Sequence, residues 1–307
     1  MKKILVLHYS QSGQLTEIVN NIAAPLMANN NIRVDFHNIT LADPFPFPWP
    51  KQDFFEAFPE TFRQMPVKVN PLPQAIVNTT YDLIIFGYQV WFLTPSLPIS
   101  SFLETNDAKK LFKNTPVVTV LGCRNLWVMA QEKMKKKLLD LKANLVGNIA
   151  LVDRHLNHIS VITIGPWMFT GEKKRYLGIF PKPGVSQQDI DNATKFGPTI
   201  ATHLLNNTLN TLQDNLLQQE AVTIKPFLVT TDRKANVIFS KWSQLIISKS
   251  KKGTPKRSKL VKIFKYYLLF AIWVIAPIVF ILFLLTYLPL YNKIKKDKAY
   301  YASVAYK

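Results

Sequence analysis

Ile4-Leu5-Val6-Leu7-His8-Tyr9-Ser10-Gln11-Ser12-Gly13-Gln14-Leu15-Thr16 is the stretch from which the fold is read. Four apolar residues in a row, Ile4 to Leu7, predict a strand buried on both faces, the kind found in parallel sheets. Ser10 to Gly13 is turn chemistry. Beyond it, Leu15, Ile18, Val19, Ile22, Ala23 and Leu26 recur at helical spacing, which predicts a helix over 14–29. A buried strand, a short turn and an amphipathic helix make the first βα unit.

The same alternation continues outward. Ile32 to Phe36 reads as a second strand, Tyr81 to Gly87 as a third, Val117 to Leu121 as a fourth and Ile149 to Val152 as a fifth. Pro98 can start a helix over Ile99 to Leu103, Leu126 to Leu141 reads as a strongly basic helix, and Ser186 can cap a last one reaching Asn206. Five apolar strands alternating with helices predict an α/β fold with a doubly wound, five-stranded parallel sheet. Two segments interrupt it. Residues 43–73 are rich in Pro and Phe and are expected as a surface excursion with a short helix near 52–64. Residues 154–185 carry Gly165-Pro166, Gly171 and Pro181-Lys182-Pro183-Gly184 and are expected to be irregular.

The turn after the first strand also suits an anion. Backbone N–H groups at a helix N-terminus point outward and the helix dipole favours negative charge. Gly13 permits close approach, Ser10 and Ser12 can donate hydroxyl bonds, and no carboxylate follows until Glu17. The loop is not a Walker A motif, because no Gly-Lys-Ser/Thr follows. One glycine in place of three excludes the dinucleotide fingerprint. The plainer alternative is an ordinary strand–turn–helix with serine as N-cap.

The loop resembles the FMN-phosphate loop of flavodoxins, hydroxyl-x-hydroxyl-Gly-x-x-Thr. Two further segments agree with that resemblance in order and position: Gly87-Tyr88-Gln89-Val90-Trp91-Phe92-Leu93-Thr94-Pro95 with Ser101-Phe102-Leu103-Glu104 after the third strand, and Leu121-Gly122-Cys123-Arg124-Asn125 after the fourth. The resemblance covers residues 1 to about 206. It implies a flavodoxin-like fold and FMN as cofactor. The implied FMN contacts are Ser10, Gln11, Ser12, Gly13, Gln14, Leu15, Gln89, Val90, Trp91, Phe92, Gly122, Cys123, Arg124 and Asn125.

A narrower resemblance rests on Ser10–Leu15, Arg124–Lys133 and Pro183–Ser186, which are similar to the flavodoxin-type dialkylresorcinol condensing enzymes of dialkylresorcinol and aryl-polyene pigment biosynthesis. It implies an FMN-dependent oxidoreductase, drawing on NAD(P)H and acting on a hydrophobic cyclic or quinone-like small molecule, for example in an aromatisation step. A ketosynthase or an acyl-carrier protein is the implied protein partner. The chain departs from that label in lacking a ketosynthase-like Cys-His-His arrangement. It departs from simple flavodoxins, usually acidic and soluble, in the 154–185 segment and in its tail. The alternative is a flavodoxin-like electron carrier or membrane scaffold with no substrate of its own. No catalytic residue is assigned. His155 and His158 lack a third ligand nearby, so no metal is expected. Cys123 reads as a small apolar filler rather than a reactive thiol.

The formal net charge is +19, and it is unevenly spread. Residues 207–307 hold 17 Lys and Arg against four Asp and Glu, around the most apolar part of the chain. Lysines beside an apolar span point to anionic lipid, and the N-terminal part offers no basic face for nucleic acid. Tyr266 to Tyr291 is 26 residues without a charge, enough for one transmembrane helix, with tyrosines near both ends. The expected organisation is a flavodoxin-like domain over 1–206, a basic linker over 207–265, a transmembrane helix over 266–291 and a short tail over 292–307. Eight Lys and Arg in 249–265 against five in 292–307 favour the N-terminal flank inside. After Lys2 and Lys3 the apolar run is too short for a signal peptide. The expectation is a single-pass protein of the bacterial inner membrane, its flavin domain in the cytoplasm and its tail on the far side.

Overall fold

The computed structural model describes residues 1–306, and five of its strands form one parallel sheet. β1 (Lys2–His8), β2 (Ile32–Asn38), β3 (Leu83–Tyr88), β4 (Pro116–Cys123) and β5 (Asn144–Val152) lie in the order 2-1-3-4-5. Every neighbouring pair is parallel. This is the flavodoxin-like order, whose switch point lies between β1 and β3. The strands are apolar nearly throughout because both faces of the sheet are covered. Ile4, Val6, Ile85 and Val120 pack with Ile18, Ile22, Phe196 and Ile200 on one side. Leu5, Leu7, Ile84 and Phe86 pack with Ile99, Phe102, Phe112 and Met134 on the other. Each such fully buried side chain contributes about 1.5–3 kcal/mol.

β5 begins five residues before the expected Ile149, because Asn144, Gly147 and Asn148 break the apolar run that marks a strand in the sequence. Asn148 is tolerated inside by a buried hydrogen-bond chain. The Tyr88 hydroxyl donates to Gln131 Oε1 at 2.5 Å, Gln131 Nε2 to Thr119 Oγ1, and Thr119 Oγ1 to Asn148 Oδ1 at 3.0 Å. The Asn148 backbone N–H then donates to Gln213 Oε1, and Gln213 Nε2 to the Ala302 carbonyl. This chain joins the central strands to the C-terminus.

Residues 207–265, expected as a linker, are largely helical and packed on the domain. They contain the helices Leu212–Gln218 and Pro226–Lys249 and enter a third at Pro255. Hydropathy missed them because their buried positions are few and partly polar. Asp232 is fully buried and accepts from Met129 N at 2.9 Å, so it caps the helix Val128–Asp140 from a distant element. Arg63 Nε donates to Ser243 Oγ, and Phe239 packs on Phe58 and Phe62.

The apolar segment is helical as expected, with a π-turn at Ala271–Ile275 joining Pro255–Phe270 to Ala276–Thr286. Among the described residues it is the one helix long and apolar enough to cross a membrane, and none of its most apolar window is buried in the molecule. The tail expected across the membrane is instead folded back. Helix Tyr291–Ala302 lies on the domain: Arg233 donates to the Tyr301 hydroxyl and to Asp297, and the Tyr300 hydroxyl donates to Glu132. Lys135 Nζ reaches the Ala305 carbonyl at 2.9 Å. Charge counting could not see this, because the tail is held by two tyrosines, main-chain carbonyls and its one acidic side chain, Asp297, while its lysines face water.

Candidate functional site

Three loops leave the C-terminal ends of β1, β3 and β4, where open α/β sheets bind ligands. The first is the loop in which an anion site is expected. Gly13 is the N-cap of the helix Gln14–Met27 with φ +81, a left-handed conformation that favours glycine, and a side chain built there would meet nothing within 4 Å. No side chain caps this helix end, so its first N–H groups remain available to a ligand. Ser10 Oγ is buried without a hydrogen-bond partner, beside a half-buried Ser12. A left-handed glycine, a free hydroxyl and a 14-residue helix N-terminus suit a phosphate, so these residues fit the phosphate end of the cofactor the resemblance implies.

The side chains of Gln14 and Leu15 do other work. Leu15 is in the core, and Gln14 Oε1 accepts from Val185 N and from Lys173 Nζ, both at 3.0 Å. Only their backbone amides can face an anion. Lys173 also bonds the Val185 carbonyl, and burial pulls its ammonium below the usual lysine range. The 154–185 segment, expected to be irregular, contains the 14-residue helix Asn157–Thr170, because Gly165-Pro166 is accommodated inside the helix and Gly171 ends it. Beyond that helix it brings a cation to the edge of a loop that has none of its own. Sequence reading missed Lys173, and its contact with Gln14, 159 positions away, carries no local pattern.

The second loop joins the first directly. Gln11 N donates to Gln89 Oε1 at 3.4 Å, and the rings of Tyr9 and Trp91 lie 6.0 Å apart. Val90, Trp91 and Phe92 are all half-buried, and Phe92 takes a left-handed φ of 49 in the tight turn that follows. The Pro-rich stretch covers this region. Trp49 Nε1 donates to Gln11 Oε1 at 2.9 Å, Gln11 Nε2 donates to the Pro46 carbonyl, and Trp49 N bonds the Met168 carbonyl. Phe45, Trp49 and Trp91 contact one another with centroids 5.2–5.5 Å apart. Proline at alternate positions prevents regular structure over 43–50 and leaves the aromatic rings free to form this cover. The density of Pro and Phe was the available signal.

The third loop turns inward. Gly122 abuts helix Gln14–Met27, where a built side chain would meet Ile18 at 2.7 Å. Cys123 is buried and burial pushes its thiol pKa up, so it is a filler and not a nucleophile. Arg124 Nε donates to Ser160 Oγ and its Nη2 to Asn157, while burial lowers its pKa to about 10. Asn125 Nδ2 donates to the His155 carbonyl. Arg124 and Asn125 therefore clasp the segment that begins helix Asn157–Thr170. His158 Nε2 lies 2.9 Å from the Ile272 carbonyl, at the π-turn of the apolar helix.

No family model and no curated protein matches this chain. Among solved structures, a flavoprotein of Lactobacillus acidophilus in complex with FMN is similar to it over 49% of this chain and 93% of its own, at 17% identity and a TM-score of 0.38. Oxidised flavodoxin 1 of Bacillus cereus is similar over 66% of this chain and 99% of its own, at 14% identity and a TM-score of 0.36.

Proposed function

We propose that the chain is an FMN-dependent oxidoreductase held at a membrane, taking electrons from NAD(P)H and passing them to or from a hydrophobic cyclic or quinone-like substrate. The observation that carries this reading is the loop at the β1/β3 switch point, with Gly13 left-handed and Ser10 Oγ buried and unpartnered at a helix N-terminus. Ser10, Ser12 and the amides from Gly13 to Leu15 would hold the phosphate, and Lys173 would offset part of its charge. Trp91, with Tyr9 and Trp49 around it, supplies aromatic surface for a flavin ring. When bound, FMN supplies reversible hydride and electron transfer. The residues of this chain bind and orient it, and the cover over 43–50 keeps bulk water from that edge. Within this reading residues 1–206 form the flavin-binding unit and the apolar helix keeps it near a substrate that partitions into lipid. The cytoplasmic face of a bacterial inner membrane, a place in dialkylresorcinol assembly and a ketosynthase or acyl-carrier partner complete the proposal.

One observation favours the rival, an electron carrier without its own substrate. Of the chemically versatile side chains of the third loop, Cys123 is buried and Arg124, half-buried, is engaged by Ser160 and Asn157. Protein purified in detergent should be yellow with about one FMN per chain. Protein that stays colourless after FMN is added sinks the flavin reading. Turnover of NAD(P)H with a quinone or a cyclohexenone supports the enzyme, and FMN reduction without turnover supports the carrier.

A further inference from the structure

The apolar helix touches the rest of the molecule at its start, its middle and near its end. At its start Arg257, 1% exposed, donates to Glu56 Oε2 at 3.1 Å and to Glu60 Oε2 at 2.6 Å. Phe264 stacks on Phe58 with centroids 3.9 Å apart. At mid-length the Ile272 carbonyl meets His158, and near the end Phe280 and Phe283 pack on Phe227. The chain then turns back, and Tyr301 and Asp297 bind Arg233. Both ends of the apolar segment are therefore anchored to one body.

The helix Pro226–Lys249 runs antiparallel beside it. Trp242 contacts Phe264 and Tyr267, whereas Phe227 contacts Phe280 and Phe283. Counting along both helices from these contacts puts Arg233 and Lys234 level with the π-turn Ala271–Ile275. An upright apolar helix would draw these charges and the buried Asp232 to the middle of the bilayer, where charge is most costly. It would also have to tear the tail from Arg233, Glu132 and Lys135. The opposite face of the apolar helix carries no such penalty. Phe270, Val274, Ile281, Leu285 and Leu288 follow one another at helical spacing and are all exposed, Leu285 to 73% and Leu288 to 81%. Lysines lie before this face at 256, 259 and 262 and after it at 293, 295 and 296.

We infer that the apolar helix docks along the membrane surface and does not cross it: the face from Phe270 to Leu288 enters one leaflet, and the domain and the C-terminal tail stay on the same side. The helix itself is apolar all round, and the domain to which it is tied supplies the polar side. Such a body lying in the interface buries its apolar face to the depth of the headgroup and acyl boundary. Both lysine clusters then meet the same anionic headgroups, which a crossing helix would place on opposite surfaces. The inference rests on the membrane reading above but not on flavin binding.

The test uses the full chain in sealed native membrane vesicles, with one added cysteine at Lys109→Cys on the domain or at Lys298→Cys on the tail. The unmodified chain gives the background from buried Cys123. A membrane-impermeant maleimide should label both positions alike, either both before detergent is added or both only after it. Labelling of one before and the other only after detergent overturns the inference while leaving membrane attachment intact. Chain found in the supernatant overturns both. As a second measurement, nitroxides at Phe270→Cys, Ile281→Cys and Leu288→Cys should report one shared shallow depth. A maximum at Ile281, with the two flanking positions shallow, would mean a crossing helix.

Discussion

Replacing Gly13 separates the fold's requirement from the ligand's. Gly13→Ala must hold φ +81 with a Cβ, which costs about 1–2 kcal/mol for an L-residue. Nothing lies within 4 Å of that Cβ, so no steric cost is added and the melting temperature should fall by only a few degrees. Gly13→Asp pays the same backbone cost and also sets a carboxylate where the phosphate would sit. One unit charge at 4 Å from another, at an effective dielectric of 20, is repelled by about 4 kcal/mol, or roughly a thousandfold in affinity. Riboflavin has no phosphate and does not use this loop. Flavin fluorescence quenching on titration should therefore show Gly13→Asp losing FMN affinity by about a thousandfold while weak riboflavin binding is nearly unchanged. Equal losses for both ligands would refute the reasoning, because they would mean general damage or a site elsewhere. Unchanged FMN affinity would reduce the loop to a turn.

Lys173→Met should weaken FMN by about tenfold, a loss of roughly 1.4 kcal/mol, more at low salt than at high salt and with riboflavin unaffected; a salt-independent loss would assign Lys173 to packing alone. His8 is buried with Nδ1 unpartnered, and burial followed by the nearby His37 lowers its pKa from 6.5 to about 4. The unfolded chain takes up this proton first, so stability should fall by about 3 kcal/mol as pH drops from 6.5 to about 4, and His8→Gln should lose that slope in urea titrations. Asp232, raised to about 6 by burial, contributes the opposite slope in an overlapping window, which is why the variant is compared with the unmodified chain and not judged alone. Ending the chain after Lys249 should yield an aggregation-prone product and not a stable soluble domain, because it uncovers Phe58 and Phe239 and leaves Glu56 and Glu60 without Arg257. A monodisperse product melting near the full chain would show that the C-terminal helices are independent.

The fold was legible because its cause is local. Strands such as Ile4–Leu7 and Val117–Leu121 are apolar throughout, since both faces of a doubly wound sheet are covered, and the helices between them repeat at 3.6 residues. The strand order 2-1-3-4-5 was not legible from that alternation, which other doubly wound orders share; only the resemblance to flavodoxins implied it, and the pairing of the strands shows it. The turn at Ser10 to Gly13 and the helix start after it were legible for the same reason as the strands: these residues are consecutive, so their geometry is set by neighbours in the chain. The apolar segment was legible from length and composition.

What only the tertiary structure decided involves partners far apart in sequence. Lys173 meets Gln14, Asp232 caps a helix begun at Val128, and Trp49 closes over Gln11, each through side chains whose local context has no periodic mark. Arg124 and Asn125 stand where a ligand loop was expected, and their direction inward was set by Asn157, Ser160 and the His155 carbonyl. Most consequential is the tail. Hydropathy measures how readily a segment leaves water, and it is silent on which solvent or surface receives it. The tertiary structure adds that both ends of the segment are tied to the domain, by Arg257 against Glu56 and Glu60 at one end and by Arg233 against Asp297 and Tyr301 at the other, contacts between residues far apart in the chain.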